Sequence, residues 1–473
     1  MSTWSFRKRR SNRKLVLARR SDGLGQRLSA ILNGLRLANL LDAEFRLTWP
    51  VDGEGAAARE DHSIVAAEEF FSESFLRRHR YQGDPGEGFG FPKRAEDLDD
   101  LRSQLHETPL GLAAPNRPLR KVVGPSVPDV DGSFAAEFDL IEFHPDVHAA
   151  MTRAREVPLG EGSVGIHLRA GDVLFGPLRT LNRFWDKCIP APIARALIEQ
   201  LRDESRSVFV FGQDADLVRH LCEDTGAIEA ETLRPGMSGH QQSMFDIVLM
   251  SRCERIIGAR SGFAGLAANI TGKSVEPYLR LISPEDGVNI TRADLAKHGD
   301  QYHPLQRAFA WWAAYYRTRD ERPYDEAVAM VSAAVDDDPD NPRARLRLAS
   351  LHFEHGQLDL GHHALMAALV RDRAAGDELR SLNAYGFAWT RWDNRWLFDS
   401  FDRAIDAGLG LPRAFRAVQR ARDNDAEGAY ADVGGFRAWL TESGPVPVLA
   451  GLPEKIEASF PDQLELARAQ PVT

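Results

Sequence analysis

The sequence predicts an α/β protein, doubly wound at first and all-α toward its end. Three observations carry this. Lys14–Ala18 is a compact β run, followed by a glycine-bearing turn, Asp22–Leu28, and a helix with Leu28, Ile31, Leu32, Leu35 and Ala38 on one face. Val164–Leu168, Ser207–Phe211 and Arg255–Ile257 are short apolar runs that each stop at a small or charged turn and lead into a helix. From about His303 the strand signals cease, and alanine and glycine recur at helical spacing.

At 473 residues the chain is long enough for two or three domains, and 43% apolar with 27% charged residues suffices to fill their cores. A net charge of −10 sets nucleic acid aside as the main partner. Positive charge gathers in Arg7–Arg10 and Arg13–Lys14, so residues 1–13 read as a basic, solvated arm; a weak hold on anionic lipid or polysaccharide is the lesser reading. That allows at most a peripheral contact with the inner membrane. Cys188, Cys222 and Cys253 form an odd, widely spaced set without a CxxC pair, which fits a reducing compartment. Leu15–Ala18 is too short for the apolar part of a signal sequence, and no stretch reaches the roughly 18 apolar residues of a membrane span. A soluble, cytoplasmic protein is expected.

The first domain is drawn over residues 14–155. Its turn Gly23-Leu24-Gly25 sets backbone N–H groups at a helix start, where an anion is favoured. Leu28 stands where a dinucleotide fingerprint needs its third glycine, so NAD is set aside. Phe45–Trp49 makes the next strand and Pro50 stops it. Glu68–Leu76 reads as helix, Gly83–Pro92 as a surface loop, Lys121–Val123 as a strand, and Asp146–Arg155 as the helix that crosses to the next domain.

The second domain, residues 156–299, is organised around Val164–Val173. Val164, Ile166 and Leu168 alternate with Gly165, His167 and Arg169, which puts His167 and Arg169 on one face at the end of a strand. Open α/β sheets bind ligands beyond the carboxyl ends of their strands. Gly171 lets the backbone turn, and Asp172 is close enough in sequence to orient Arg169. A fixed guanidinium there suits a phosphate or diphosphate; a network that only holds the turn is the plainer alternative. A helix starts near Pro192, and Ala215–Thr225 is helical. The helix through Asp246 and Ser251 leads to the short strand Arg255–Ile257, and the turn Ser261-Gly262 opens the helix Ala264–Ile270. Three such loops at one sheet edge favour a phosphate-bearing ligand.

Together Gly23-Leu24-Gly25-Gln26-Arg27-Leu28, the His167-x-Arg169-x-x-Asp172 series, and Asp246, Ser251, Ser261 and Phe263 resemble a known family in order and rough spacing. This is the fucosyltransferase superfamily, which joins α-1,6- and α-1,2-fucosyltransferases, protein O-fucosyltransferases and the rhizobial nodulation fucosyltransferase. The resemblance runs from about Lys14 to Tyr278. It implies a GT-B-like pair of Rossmann-type domains, the first on the acceptor side and the second holding the nucleotide sugar. Arg169 would bind the diphosphate and help GDP leave, with Asp172 orienting it. His167, Asp246, Ser261 and Phe263 would contact the nucleotide, and Gly23, Gly25 and Arg27 would face it across the cleft. The family implies GDP-fucose as donor, a glycan or other hydroxyl as acceptor, inversion at the sugar, a part in polysaccharide biosynthesis, and no metal or other cofactor. This sequence departs from the pattern at Gln26, usually Asn, and at Ala170, usually basic. Val173–Trp185 also lacks the carboxylate that one branch supplies, leaving Asp186 the nearest and the general base unassigned.

Residues 300–425 read as helical repeats. Phe309, Trp312, Ala313 and Tyr316 share a face of the helix Arg307–Arg317. Pro323–Ala327, with Ala334 and Pro339 at intervals of seven and twelve from Ala327, matches the second helix of a tetratricopeptide-like unit. Gly361 and Ala368 fall at the same positions 34 residues on, after Gly356 at the turn, and a degenerate unit spans Leu382–Gly408. Such repeats suit binding of the acceptor or of a protein partner. His352, His355, His362 and His363 are expected on solvated faces rather than at a metal. Residues 426–473 are expected as a tail without a function of their own. Two other functions stay open: a transferase of the same fold using another nucleotide sugar, and a non-catalytic repeat protein with a degenerate transferase domain. The missing carboxylate favours the latter and the intact His167/Arg169/Asp172 series opposes it.

Overall fold

A computed structural model describes residues 13–51, 64–124, 127, 130, 132–180, 182–377, 379–384, 395–444 and 446–469. The basic run Arg7–Arg10 and part of the degenerate repeat lie outside them. The chain divides into two compact units: residues 1–169 with 197–280, and residues 170–196 with 281–473.

The first unit holds two sheets, both parallel throughout. One contains β1 (Leu15–Arg19), β2 (Glu44–Thr48), β3 (Phe89–Gly90) and β4 (Gly111–Ala113) in the order β2-β1-β4-β3. The other contains β5 (Val164–Leu168), β6 (Val208–Gly212), β7 (Ile228–Glu229), β8 (Arg255–Gly258) and β9 (Val275–Pro277) in the order β7-β6-β5-β8-β9. In register, His167 of β5 lies between Phe211 and Gly258. All five residues of β5 are buried, Gly165 and His167 included, as in a parallel strand covered on both faces.

Four helices frame the site. α1 (Leu24–Leu40) buries Leu28, Ile31, Leu32 and Leu37. α2 (Pro145–Glu156) packs on α3 (Gly239–Arg252), which opens on a reciprocal cap between Ser238 and Gln241. α4 (Gly262–Ile270) is capped by Ser261, whose Oγ accepts from the Phe263 N–H at 3.2 Å.

The expected α/β class with two parallel sheets followed by helices is thus observed, with local corrections. Helix α1 starts inside the glycine turn. The expected helix Glu68–Leu76 is two, Ala67–Phe70 and Glu73–His79, because Phe71 bridges to Phe143 and Ser72 caps the second, accepting from the Phe75 N–H at 3.1 Å. The expected strand Lys121–Val123 is a 3-10 turn, Leu119–Lys121, followed by a single bridge from Val123 to Ala95. The strand is β4 instead: a Cβ on Gly111 would stand 1.9 Å from the Leu15 carbonyl oxygen, so glycine lets β4 pair against β1.

The second unit is helical. Its described helices include α5 (Pro284–His298), α6 (Pro304–Thr318), α7 (Tyr324–Asp337), α8 (Pro342–Glu354), α9 (Leu358–Ala374), α10 (Arg395–Asp406), α11 (Leu411–Arg422), α12 (Ala426–Ser443) and α13 (Leu452–Ala469). Residues 426–460 are therefore no tail. Leu449, Leu452, Ile456 and Phe460 are buried in one core with Phe353, Phe401, Phe415 and Phe436. His352 is not solvated either; it is buried, with Nδ1 2.7 Å from the Tyr324 hydroxyl, and His355 stacks on the Tyr324 ring at 4.4 Å. Among the described residues no helix is long and apolar enough to cross a membrane, and all three cysteines are buried and unbridged.

Candidate functional site

The second sheet winds outward from β5 in both directions: β6 and β7 to one side, β8 and β9 to the other. The strand order reverses between β5 and β8, and a doubly wound sheet opens a crevice at the carboxyl end of such a junction. The residues leaving β5 there are Arg169 and Ala170, and those leaving β8 are Ala259–Ser261 and the first turn of α4. The first sheet reverses in the same way beside β1, whose carboxyl end leads through Gly23 into α1.

These two junctions touch. A Cβ on Gly25 would stand 2.6 Å from the carbonyl carbon and oxygen of Gly262 and 2.7 Å from the Phe263 nitrogen, so α1 and α4 begin backbone against backbone. Gln26 lies over Gly262, and its Oε1 accepts from Asn116 Nδ2 at 2.6 Å. The Phe263 ring stacks on His167, with centroids 5.3 Å apart and planes 22° apart. The structure therefore brings Gly25, His167, Ser261 and Phe263 together, with Arg169 two residues beyond His167.

His167 is buried, and among the described residues its Nδ1 has no hydrogen-bond partner. Burial first, and then the Arg169 charge, push its pKa down to about 4, so the imidazole is neutral at physiological pH. A neutral ring offers a donor and an acceptor without adding charge to a site that already holds Arg169. Arg169 itself is half-buried.

Asp246 sits on α3 one turn before Met250, whose Cγ lies 3.3 Å from the Cβ position of Gly165. The carboxylate is buried and faces Arg234, Nε to Oδ1 3.2 Å, while Arg234 Nη1 donates to Gln242 at 2.8 Å. Burial raises the Asp246 pKa to about 7, outweighing Arg234. Sequence reasoning missed Arg234: it lies 12 residues before Asp246 in a polar turn, and nothing in its neighbourhood marks it.

Other expected site residues have different surroundings. Arg27 is buried and donates to the carbonyls of Asp22 at 2.5 Å and Pro50 at 2.6 Å, with its guanidinium 5.2 Å from the Trp49 ring; it braces the turn before α1. Ser251 donates back to the Val248 carbonyl at 2.8 Å. Asp172 is buried in the short helix Gly171–Leu174 and belongs to the second unit. Gly171 there has φ +36°, and a Cβ on Gly176 would stand 2.8 Å from the Asp172 Cα. The turn is as sharp as the sequence suggests. Among the described residues no group of three or more His, Cys, Asp or Glu could hold a metal ion.

Residues 319–383, which cover α7, α8 and α9, match the tetratricopeptide repeat family. No curated protein matches the chain. Solved fucosyltransferases are among the structures it resembles. Fucosyltransferase NodZ from Bradyrhizobium is 14% identical over 54% of this chain and 93% of its own, with a TM-score of 0.33. POFUT1 in complex with GDP-fucose is 12% identical over 56% of this chain and 97% of its own, with a TM-score of 0.35.

Proposed function

We propose that the chain is an inverting glycosyltransferase that moves fucose from GDP-fucose to a hydroxyl of a glycan. The observation that carries the reading is the meeting of the β5/β8 switch point, the Ser261-capped start of α4 and the His167–Phe263 stack beside Arg169. The motif resemblance from Gly23 to Phe263 supplies the donor class.

In this reading the diphosphate is held by the Arg169 guanidinium and by backbone N–H groups at the start of α4. The acceptor oxygen attacks the anomeric carbon as the bond from that carbon to the diphosphate oxygen breaks. The acceptor proton passes to a base, for which Asp186 is the nearest carboxylate in sequence after the motif. Arg169 offsets the charge that grows on departing GDP, the electrostatic role that usually contributes most, so the scheme uses no metal. Neutral His167 packs under the nucleotide on Phe263. The tetratricopeptide repeat match supports a protein partner for the second unit as a companion role.

The test is thermal stability with GDP, UDP, ADP or CMP, on the wild type and Arg169→Ala. Ligand at 100 times its Kd adds about 2.7 kcal/mol. Stabilisation by GDP that the variant loses is the expected result, followed by GDP release from GDP-fucose. Preference for another nucleotide moves the donor assignment, and no response to any of them overturns the transferase reading.

A further inference from the structure

Nothing in the sequence separates residues 170–196 from the strand they follow, yet they belong to the helical unit. Their anchoring is extensive. Phe175 packs edge-on against His303 with centroids 5.2 Å apart, and His303 caps α6, its Nδ1 accepting from the Leu305 N–H at 3.1 Å. Val173, Phe184 and Cys188 bury one another with Phe309 of α6 against them. The Trp185 ring lies 5.2 Å from Tyr316. Arg179 Nε is 3.2 Å from Oδ2 of Asp338, a buried residue that ends α7 inside the repeat match. At the far end of the segment, Arg195 Nε donates to the Tyr302 hydroxyl at 2.9 Å and lies 3.2 Å from Asp294 of α5.

We infer that the helical unit is built into the transferase as the anchor of the segment that follows Arg169, with Arg179, Trp185, Tyr316 and Asp338 as positioning residues. The segment begins one peptide bond after Arg169, so a shift in it reaches the guanidinium through the backbone. It also carries Asp172 and Asp186, the first carboxylates after the motif arginine. Before the helix that opens at Ala191 the stretch has only short helical turns, and such a stretch holds one conformation when something outside it supplies the contacts. Here α5, α6 and α7 supply them. The effect on turnover rests on the proposed function; the anchoring does not.

The experiment compares full-length wild type with Arg179→Ala, Asp338→Asn and Trp185→Leu by hydrogen exchange of amides 171–187, GDP binding, and turnover of GDP-fucose. Trp185→Leu leaves the repeats themselves intact, which guards against a variant that merely unfolds them. Exchange across the segment should rise at least about tenfold in each variant, since local opening follows the loss of its buried contacts. Turnover (kcat) should fall about tenfold, with a smaller loss of GDP affinity transmitted through Arg169. Arg179→Lys, and the reversed pair Arg179→Asp with Asp338→Arg, should restore much of both. Unchanged exchange overturns the anchor, and a freed segment with unchanged kcat overturns its positioning role. A wild type that ignores GDP and GDP-fucose refutes the proposed donor, whereas the exchange result still decides the anchor.

Discussion

Gly25→Ala places one methyl group where α1 and α4 begin against each other. Its Cβ would stand 2.6 Å from two backbone atoms of Gly262 and 2.7 Å from the Phe263 nitrogen. Ordinary contact lies near about 3.5 Å, so the helix starts must part by roughly 1 Å. Backbone on both sides leaves no rotamer to absorb this, which puts the cost at the upper end of overpacking, about 3 kcal/mol. Alanine returns up to about 1 kcal/mol in helix propensity. The net loss of about 2 kcal/mol should lower the melting temperature of the first unit by about 4–8 °C. Gly262→Ala is the matched control, because the atom nearest its new Cβ is Gln26 Nε2, the end of a flexible side chain. That side chain can swing away at the cost of one hydrogen bond from Asn116, about 1 kcal/mol, which the helix gain nearly offsets. Scanning calorimetry of both variants, with GDP titrated into each, reads the difference. The junction tilts Phe263 against His167, so Gly25→Ala should also weaken GDP more than Gly262→Ala does. A Gly25→Ala protein as stable as wild type, or a Gly262→Ala protein that is worse, would refute the close approach.

Two buried groups should pull stability in opposite directions with pH. His167 is lowered from 6.5 to about 4, so the unfolded chain binds more protons between those values and stability is lost as pH falls through them; His167→Gln should flatten that limb of the melting-temperature profile. Asp246 is raised from 3.8 to about 7, so the native state holds the extra proton and stability is lost as pH rises through that window; Asp246→Asn should remove this loss, and a profile unchanged by both variants refutes the burial argument. Phe460→Ala, at a side chain 1% exposed, should cost the helical unit about 3–5 kcal/mol in urea unfolding followed by hydrogen exchange of α11 and α12. A surface-like loss below about 0.5 kcal/mol would return that segment to the status of a tail.

Legibility followed the range of the forces involved. Elements set by local pattern read well: β1, β5, β6 and β8 lie within a residue or so of their expected places, and Ala215–Thr225 is helical as expected, with Asp214 capping it and Gly226 in the left-handed region behind it. β4 was illegible because three residues carry no alternation, and Gly111 is there for the Leu15 carbonyl, a partner far away in sequence. Val122 and Val123 have strand propensity, but the ladder place beside β1 is taken by β4. The expected tail had a signal that its prolines and charges obscured: Leu452, Ile456 and Phe460 are spaced four apart on one face of α13 and are buried, with Leu449 of the preceding 3-10 turn buried beside them.

The candidate site divides along the same line, and the division bears on what each residue can do. His167 and Phe263 were legible as members of two motifs, but their stacking depends on the β5/β8 junction, which only the strand order reveals. Arg27 falls in a motif and reads as ligand-facing; the carbonyls of Asp22 and Pro50 engage its guanidinium instead, so its first effect is to fix the turn that delivers Gly25 to Gly262. Asp246 likewise meets a cation of its own chain, Arg234, before it meets any ligand. A donor group approaching Asp246 must therefore share a carboxylate already engaged on one oxygen, and it gains most if it binds the ionised form that burial disfavours. Arg234 is the residue that decides how far this cost is met. Removing Arg234 leaves the buried carboxylate protonated over a wider pH range, with a hydroxyl to donate where an acceptor is needed. Relative to the wild type, ligand affinity at the site should then fall most at and above about pH 7, where Asp246 ionises in the wild type and stays protonated in the variant, whereas loss of Arg169 should weaken diphosphate binding across the whole range.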